Sequence, residues 1–87
     1  MAGTTQLAYA EAYQIKESYG GGFRGVAKNM LTNEICKGER RETIEQARND
    51  AKRFVWKFAA GRNMTTGSYR SPKGLWRMNY FIRADEV

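Results

Sequence analysis

The spacing of apolar residues after position 42 predicts one amphipathic helix. Six apolar residues recur at intervals of three and four, as on the buried stripe of such a helix: Ile44, Ala47, Ala51, Phe54, Val55 and Phe58. The segment opens with TIEQ, in which Thr43 and Gln46 have the spacing of a capping box. Gly61 follows and suits a left-handed C-terminal position. We predict a helix from about Thr43 to Ala60.

The segment LWRMNYFIR, at 75–83, alternates in a way that predicts a strand. One side presents Trp76, Met78, Tyr80 and Ile82, and the other presents Leu75, Arg77, Asn79, Phe81 and Arg83. The preceding SPKG (71–74) has proline and glycine where a tight turn uses them. A strand through Tyr69 and Arg70 is therefore expected to pair with the last strand as a hairpin.

The first half of the chain predicts further strands. FRGVAKNML and EICKGER flank Thr32 and Asn33 as in a second hairpin. Residues 5–18 fit two structures, because Leu7, Tyr9, Tyr13 and Ile15 alternate, whereas Ala8, Ala12, Ile15 and Tyr19 have helical spacing. The tyrosines and the isoleucine suit a pleated surface, which favours the strand. The helix stays open as an alternative.

Together these elements predict an α+β fold in the order β-β-β-α-β-β. An antiparallel sheet of four to five strands would pack one face against the helix. The chain has no repeat, low-complexity tract or linker, so we expect residues 1–87 to form a single domain.

The stretch SYGGGFRG (18–25) raises the question of a phosphate-binding loop. Such a loop opens a helix, so that backbone amides and the helix dipole meet the anion. Here FRGVAKNM follows, which is strand-like and contains no GK[ST] sequence. We interpret the glycines as a mobile connection between the first two strands, whose neighbours Tyr19, Phe23 and Arg24 are able to order on a partner.

Composition indicates a folded, soluble protein. Hydrophobic residues make up 41% of the chain and aromatic residues 13%, more than a disordered sequence carries. The single cysteine, Cys36, forms no internal disulfide, which suits a reducing cytosol. No run approaches the ~18 apolar residues of a membrane span. MAGTTQLAYA lacks the regions of a signal peptide, so we expect a cytoplasmic location.

Residue usage argues against an enzyme. Histidine is absent, and with it the commonest general base and metal ligand. Cys36 alone does not hold zinc. Many carboxylates lie beside basic residues, in GERRE and RND, as on a solvated surface. We expect no catalytic residue, no metal, no cofactor and no small-molecule substrate.

The positive charge is concentrated after Cys36. The formal net charge is +6, and no acid interrupts the eight basic residues between Asp50 and Asp85. Such a block attracts anionic partners. Trp56 lies away from the apolar stripe of the helix, as an exposed interface anchor would. Arg77 and Arg83 interleave with Phe81, a pattern that suits phosphate contact and base stacking.

We expect these cations and rings to share one surface. The predicted partner- or nucleic-acid-binding residues are Lys16, Arg24, Lys52, Arg53, Trp56, Arg70, Lys73, Trp76, Arg77, Phe81 and Arg83.

Three short motifs resemble those of small type I-F anti-CRISPR inhibitors from phages. They are AYQIKE (12–17), a helix carrying QA (46–47), and GLW (74–76) in a late hairpin. Unlike that family, this chain inserts a hairpin, residues 23–40, before its helix. The resemblance implies a non-catalytic protein of the host cytoplasm that sits on an RNA-guided surveillance complex and blocks target DNA. It implies contact through Lys16 and Trp76, with Arg77 beside them.

A second resemblance is to the arm-type DNA-binding domains of integrases. FRGV (23–26) begins a hairpin that is followed by a helix. In that family the sheet enters the major groove of DNA. Acid-containing NEICKGERRE is less basic than such a sheet usually is.

The leading hypothesis is a small phage or mobile-element protein that inhibits a nucleic-acid-handling complex through a basic and aromatic surface. The alternative is a module that binds DNA or RNA directly through its basic sheet face. The sequence does not identify the partner, choose between protein and nucleic acid, or fix the oligomeric state.

Overall fold

The computed structural model describes residues 3–68 and 75–87, which form one helix packed on a five-stranded sheet. The elements are β1 (Thr4–Gln14), β2 (Phe23–Asn29), β3 (Ile35–Lys37), α1 (Ile44–Ala59), β4 (Thr65–Ser68) and β5 (Leu75–Arg83), with 3₁₀ turns at Glu17–Tyr19 and Ala84–Glu86. All pairings are antiparallel and the strand order is β3-β2-β1-β5-β4. The predicted α+β class and element order are confirmed.

The ambiguous first segment is a strand. β1 lies at the centre of the sheet and pairs along its length with β2 on one side and β5 on the other. Its wholly buried side chains Ala8, Ala10 and Ala12 face α1. Alanine favours helices in isolation, so the two neighbouring strands decide the conformation here.

The predicted capping box begins α1. The Thr43 hydroxyl accepts from the amide of Gln46 at 3.3 Å, and the Gln46 side chain accepts from the amide of Thr43 at 3.2 Å. Ala60 and Gly61 both have positive φ, 52° and 85°, and end the helix. The prediction is therefore correct to within one residue at each end.

Small residues let α1 lie close to the sheet. Beneath it are the three alanines of β1 together with Gly25 and Ala27 of β2. A Cβ added to Gly25 would overlap the carbonyl oxygen of Ala47 in the helix. The contact surface of the sheet is therefore made mainly of backbone and methyl groups, and Val55 and Phe58 of α1 complete the core.

β5 presents the two sides that its sequence predicts. Tyr80 and Ile82 are buried, and Trp76 and Met78 pack against the same core. The predicted SPKG turn and the strand residues 69–70 lie outside the described residues. The partner of β5 at the edge of the sheet is β4, which pairs through Thr65–Ser68.

The glycine run forms a turn between β1 and β2, as predicted for a connection. Gly20, Gly21 and Gly22 have φ of 102°, 67° and 81°, a backbone region that other residues rarely adopt. Arg40 Nε donates to the carbonyl of Gly21 at 2.9 Å. A strand follows the turn, so it lacks the helix that a phosphate loop requires.

An ion pair between Arg41 and the buried carboxylate of Asp50 fastens the segment after β3 to the helix. Asp50 on α1 is 4% exposed. Its carboxylate accepts from Arg41 Nε at 2.7 Å and from Arg41 Nη2 at 3.0 Å, and Arg53 donates to the same group. The hydrogen bonds from Arg41 lower the pKa of Asp50 below its ordinary value, against the opposing effect of burial.

We predict that Gly25→Ala destabilises the protein by about 1–3 kcal/mol, because the new methyl group forces α1 away from the sheet. Urea unfolding followed by circular dichroism measures the change. Gly3→Ala is the control, since a Cβ at Gly3 meets no atom within 4 Å. Equal stability of the two variants would contradict the close contact between α1 and β2.

We predict that Asp50→Asn lowers the free energy of unfolding at pH 7 by about 1.5–3 kcal/mol, the range for hydrogen bonds to charged groups. The folded-state pKa of Asp50 is lowered, so its contribution is present above the unfolded pKa of about 4 and is lost as pH falls through the folded value. Urea titrations between pH 7 and pH 2 should show the two proteins converging. Asp85→Asn is the control, because the carboxylate of Asp85 is half exposed. A difference that stays constant down to pH 2 would contradict this role of Asp50.

Candidate functional site

The sheet face opposite α1 carries no helix within residues 3–68 and 75–87. Residues directly paired across antiparallel strands point to the same side, so the register identifies this face, which we call the open face. It contains Gln6, Tyr9, Glu11, Tyr13, Arg24, Val26, Lys28, Ile35, Lys37, Leu75, Arg77, Asn79, Phe81 and Arg83.

Aromatic rings lie along the two central strands of the open face. Tyr9 and Tyr13, both half-buried, are separated by about 14 Å along β1, since four residues of strand rise by that amount. Phe81 on β5 lies diagonally across from Tyr9. Its ring covers the backbone at Gly67 of β4, where an added Cβ would come within 2.7 Å of Phe81 Cε2. The Phe81 ring can occupy this position only because Gly67 has no side chain.

Arg77 is held in position by two neighbours on β1. Its guanidinium lies over the ring of Tyr9, 4.3 Å from the centroid, and its Nη1 is 3.4 Å from a carboxylate oxygen of Glu11. The side chain remains 28% exposed. A cation-π contact and an ion pair thus fix a planar cation at the centre of the open face.

Three further cations on the open face make no ion pair with the described residues: Arg24, Lys28 and Lys37. Arg24 Nε is buried and has no hydrogen-bond partner among the described atoms. Arg83 is partly neutralised by Asp85, 2.8 Å away. Glu11 is the single carboxylate at the open-face positions named above.

The predicted binding residues divide between two sides of the molecule. Arg24, Arg77, Phe81 and Arg83 belong to the open face. Lys52, Arg53 and Trp56 belong to α1, which covers the other face. The expectation of one common surface is therefore corrected: the helix separates its own cations from those of β5.

The remaining predicted residues are scattered. Trp76 points to the helix side of β5, where Arg48 and Lys52 lie 4.9 and 5.7 Å from its ring centroid. It therefore helps to join the helix to the sheet. Lys16 is exposed in the connection after β1. Arg70 and Lys73 lie outside the described residues.

Four open-face residues were missed from the sequence: Tyr9, Tyr13, Lys28 and Lys37. The alternation of β1 was visible, but Leu7 was grouped with the tyrosines as one side. In the structure the register shifts between Gln6 and Ala8, so Leu7 enters the core while Tyr9 and Tyr13 face outward. The alanines at alternate positions were the available signal for the buried side.

We also considered Cys36, metal-ligating groups and membrane-spanning helices among the described residues. Cys36 is half-buried, and burial together with Glu34 raises the pKa of its thiol. No group of three metal-ligating side chains comes together in the parts of the chain that the structure describes. Within the same parts, no helix is long and apolar enough to cross a membrane.

Comparison with protein-family models, curated proteins and solved structures finds no match for this chain. The resemblances to anti-CRISPR inhibitors and to integrase arm-type domains therefore stay predictions from the sequence.

Proposed function

We propose that this protein binds single-stranded nucleic acid through the open face. One observation carries the proposal: at the described open-face positions, three aromatic rings and a set of cations lie together, and Glu11 is the one carboxylate among them. The rings are Tyr9, Tyr13 and Phe81. A positively charged surface with accessible rings is the combination by which proteins hold single strands, since cations follow the phosphates and rings stack on bases.

Each component has a chemical task. Arg24, Lys28 and Lys37 neutralise phosphates and release their counterions. Tyr13 and Phe81 offer ring surface for stacking. Arg77 lies over the ring of Tyr9, 4.3 Å from the centroid, and adds positive charge beside that ring. Because Glu11 and Tyr9 fix Arg77 beforehand, little conformational freedom is lost on binding.

The width of the sheet favours single strands over duplex. Five strands spaced by about 4.8 Å span roughly 19 Å, whereas the major groove of B-DNA is about 12 Å wide and admits a two-stranded ribbon. Bases inside a duplex are also stacked on one another and do not reach rings on a flat sheet. The five-stranded sheet is therefore not expected to enter the major groove, as the sheet of integrase arm-type domains does.

Inhibition of a nucleic-acid-handling complex stays a prediction from the sequence. The resemblance to anti-CRISPR proteins implies contact through Lys16 and Trp76, with Arg77 beside them. Lys16 lies in the connection after β1, whereas Trp76 and Arg77 are neighbours on β5 that point to opposite faces of the sheet. Direct binding is the function that the juxtaposition of rings and cations supports best.

We predict that the protein binds labelled 20-nucleotide single strands of DNA or RNA more tightly than a duplex of the same sequence. Each phosphate contact on a single strand adds about −0.7 to the log–log slope of affinity against salt. Lys28→Gln with Lys37→Gln should therefore make the slope shallower by roughly 1.4. Fluorescence anisotropy at several salt concentrations measures both quantities.

Lys52→Gln with Lys57→Gln is the matched control, because it removes the same charge from α1, on the other side of the sheet. It should leave the slope close to that of the native protein. Equal losses from both double variants would show attraction by net charge alone. Tighter binding of duplex would exclude the single-strand assignment, and no binding at low salt would exclude nucleic acid altogether.

We predict that Tyr13→Leu and Phe81→Leu each weaken single-strand binding by roughly 5- to 150-fold, the cost of losing one stacked base at about 1–3 kcal/mol. Leucine keeps the apolar contacts of each site, so folding should be preserved, and thermal unfolding checks this. Tyr13→Phe keeps the ring and should retain the affinity. Unchanged affinity of both leucine variants would mean that the rings only pack on the sheet.

A further inference from the structure

The helix side of the molecule, away from the open face, has an exposed tryptophan beside a small cavity. Trp56 on α1 is 69% exposed. It borders a cavity of about 290 Å³ at the C-terminal end of the helix, whose other lining residues are Ala59, Gly61, Arg62, Asn63 and Met64. The buried stripe of α1 lies elsewhere, so packing of the core does not explain this tryptophan.

The wall of the cavity is held by hydrogen bonds. Arg62 donates to the carbonyls of Ala59, Phe58 and Glu86 at 2.8, 2.9 and 2.9 Å. It thereby satisfies helix-terminal carbonyls and fastens the segment after α1. Met64 packs against the core from the other side. The cavity is therefore formed before any partner arrives.

The surroundings of Trp56 are cationic. Lys52 and Arg53 precede it by one turn of the helix and therefore share its side of α1. The acidic residues of α1 are distant or already paired, since Glu45 lies in the first turn and Asp50 is buried against Arg41 and Arg53. An exposed aromatic ring that borders a small cavity and has cations one helical turn away has the character of an interface anchor.

We propose that this surface binds an acidic protein segment that places one aliphatic or aromatic side chain against Trp56 and into the cavity. The volume is sufficient for one side chain and lies at the lower limit of small-molecule pockets. Lys52 and Arg53 complement acidic residues beside that anchor. A second copy of this chain is disfavoured, because it would bring the same cations together.

The inference does not depend on nucleic-acid binding by the open face. The probe is a library of random 12-residue peptides displayed on phage and selected on the folded native protein. Enriched peptides should combine several acids with one large apolar residue. Synthetic versions should lose about 10-fold or more in affinity when Trp56→Ala is introduced, and similarly when their apolar residue becomes alanine.

Two double variants separate this surface from the open face. Lys52→Gln with Arg53→Gln should weaken peptide binding several-fold, whereas Lys28→Gln with Lys37→Gln should leave it unchanged. Trp56 is exposed, so its replacement is expected to preserve folding, and thermal unfolding verifies this. No enrichment, enrichment of peptides without acids, or equal binding to Trp56→Ala would overturn the proposal. So would a concentration-dependent dimer that Trp56→Ala abolishes.

Discussion

The close contact between α1 and the central strands determines which residues are left for function. Helix and sheet approach closely because alanines and Gly25 form the contact surface. Since neighbouring residues of a strand point to opposite faces, the bulky and polar residues between those alanines must emerge on the other side. Tyr9, Glu11 and Tyr13 reach the open face for this reason.

The register of the strands also determines which side chains of β1 are buried and which reach the open face. A slip of one residue would exchange the two faces of β1 and bury the tyrosines beneath the helix. The irregularity at Leu7 allows that residue to fill the core while the alternation of β1 continues after it. The same pairing places Arg77 beside Glu11 and over Tyr9, so core packing and the arrangement of the open face have a common origin.

Much of the fold is predictable from local sequence. The helix, its capping box and the two sides of β5 follow from periodicity and from Thr43 and Gln46. The buried side of β1 was harder to predict, because its signal, the alanines at alternate positions, is only weakly apolar and tyrosine suits either side. The division of cations between two surfaces depends on which face α1 covers, and that is a property of tertiary packing.

The two surfaces have different chemistry. The open face is broad, with several rings and cations, whereas the helix side offers one exposed ring, a small cavity and cations. A protein that used both would hold a nucleic acid on one side and an acidic protein segment on the other. This arrangement would accommodate a role at a nucleic-acid-handling complex without requiring catalysis.

Binding of single-stranded nucleic acid by the open face is tested directly by an NMR titration of isotope-labelled protein with a single-stranded oligonucleotide. We expect the ring resonances of Tyr9, Tyr13 and Phe81 to shift together with side-chain signals of Arg24 and Arg77, while the Trp56 indole signal stays unchanged. Shifts centred on Trp56 and α1, with the open-face rings unaffected, would contradict it.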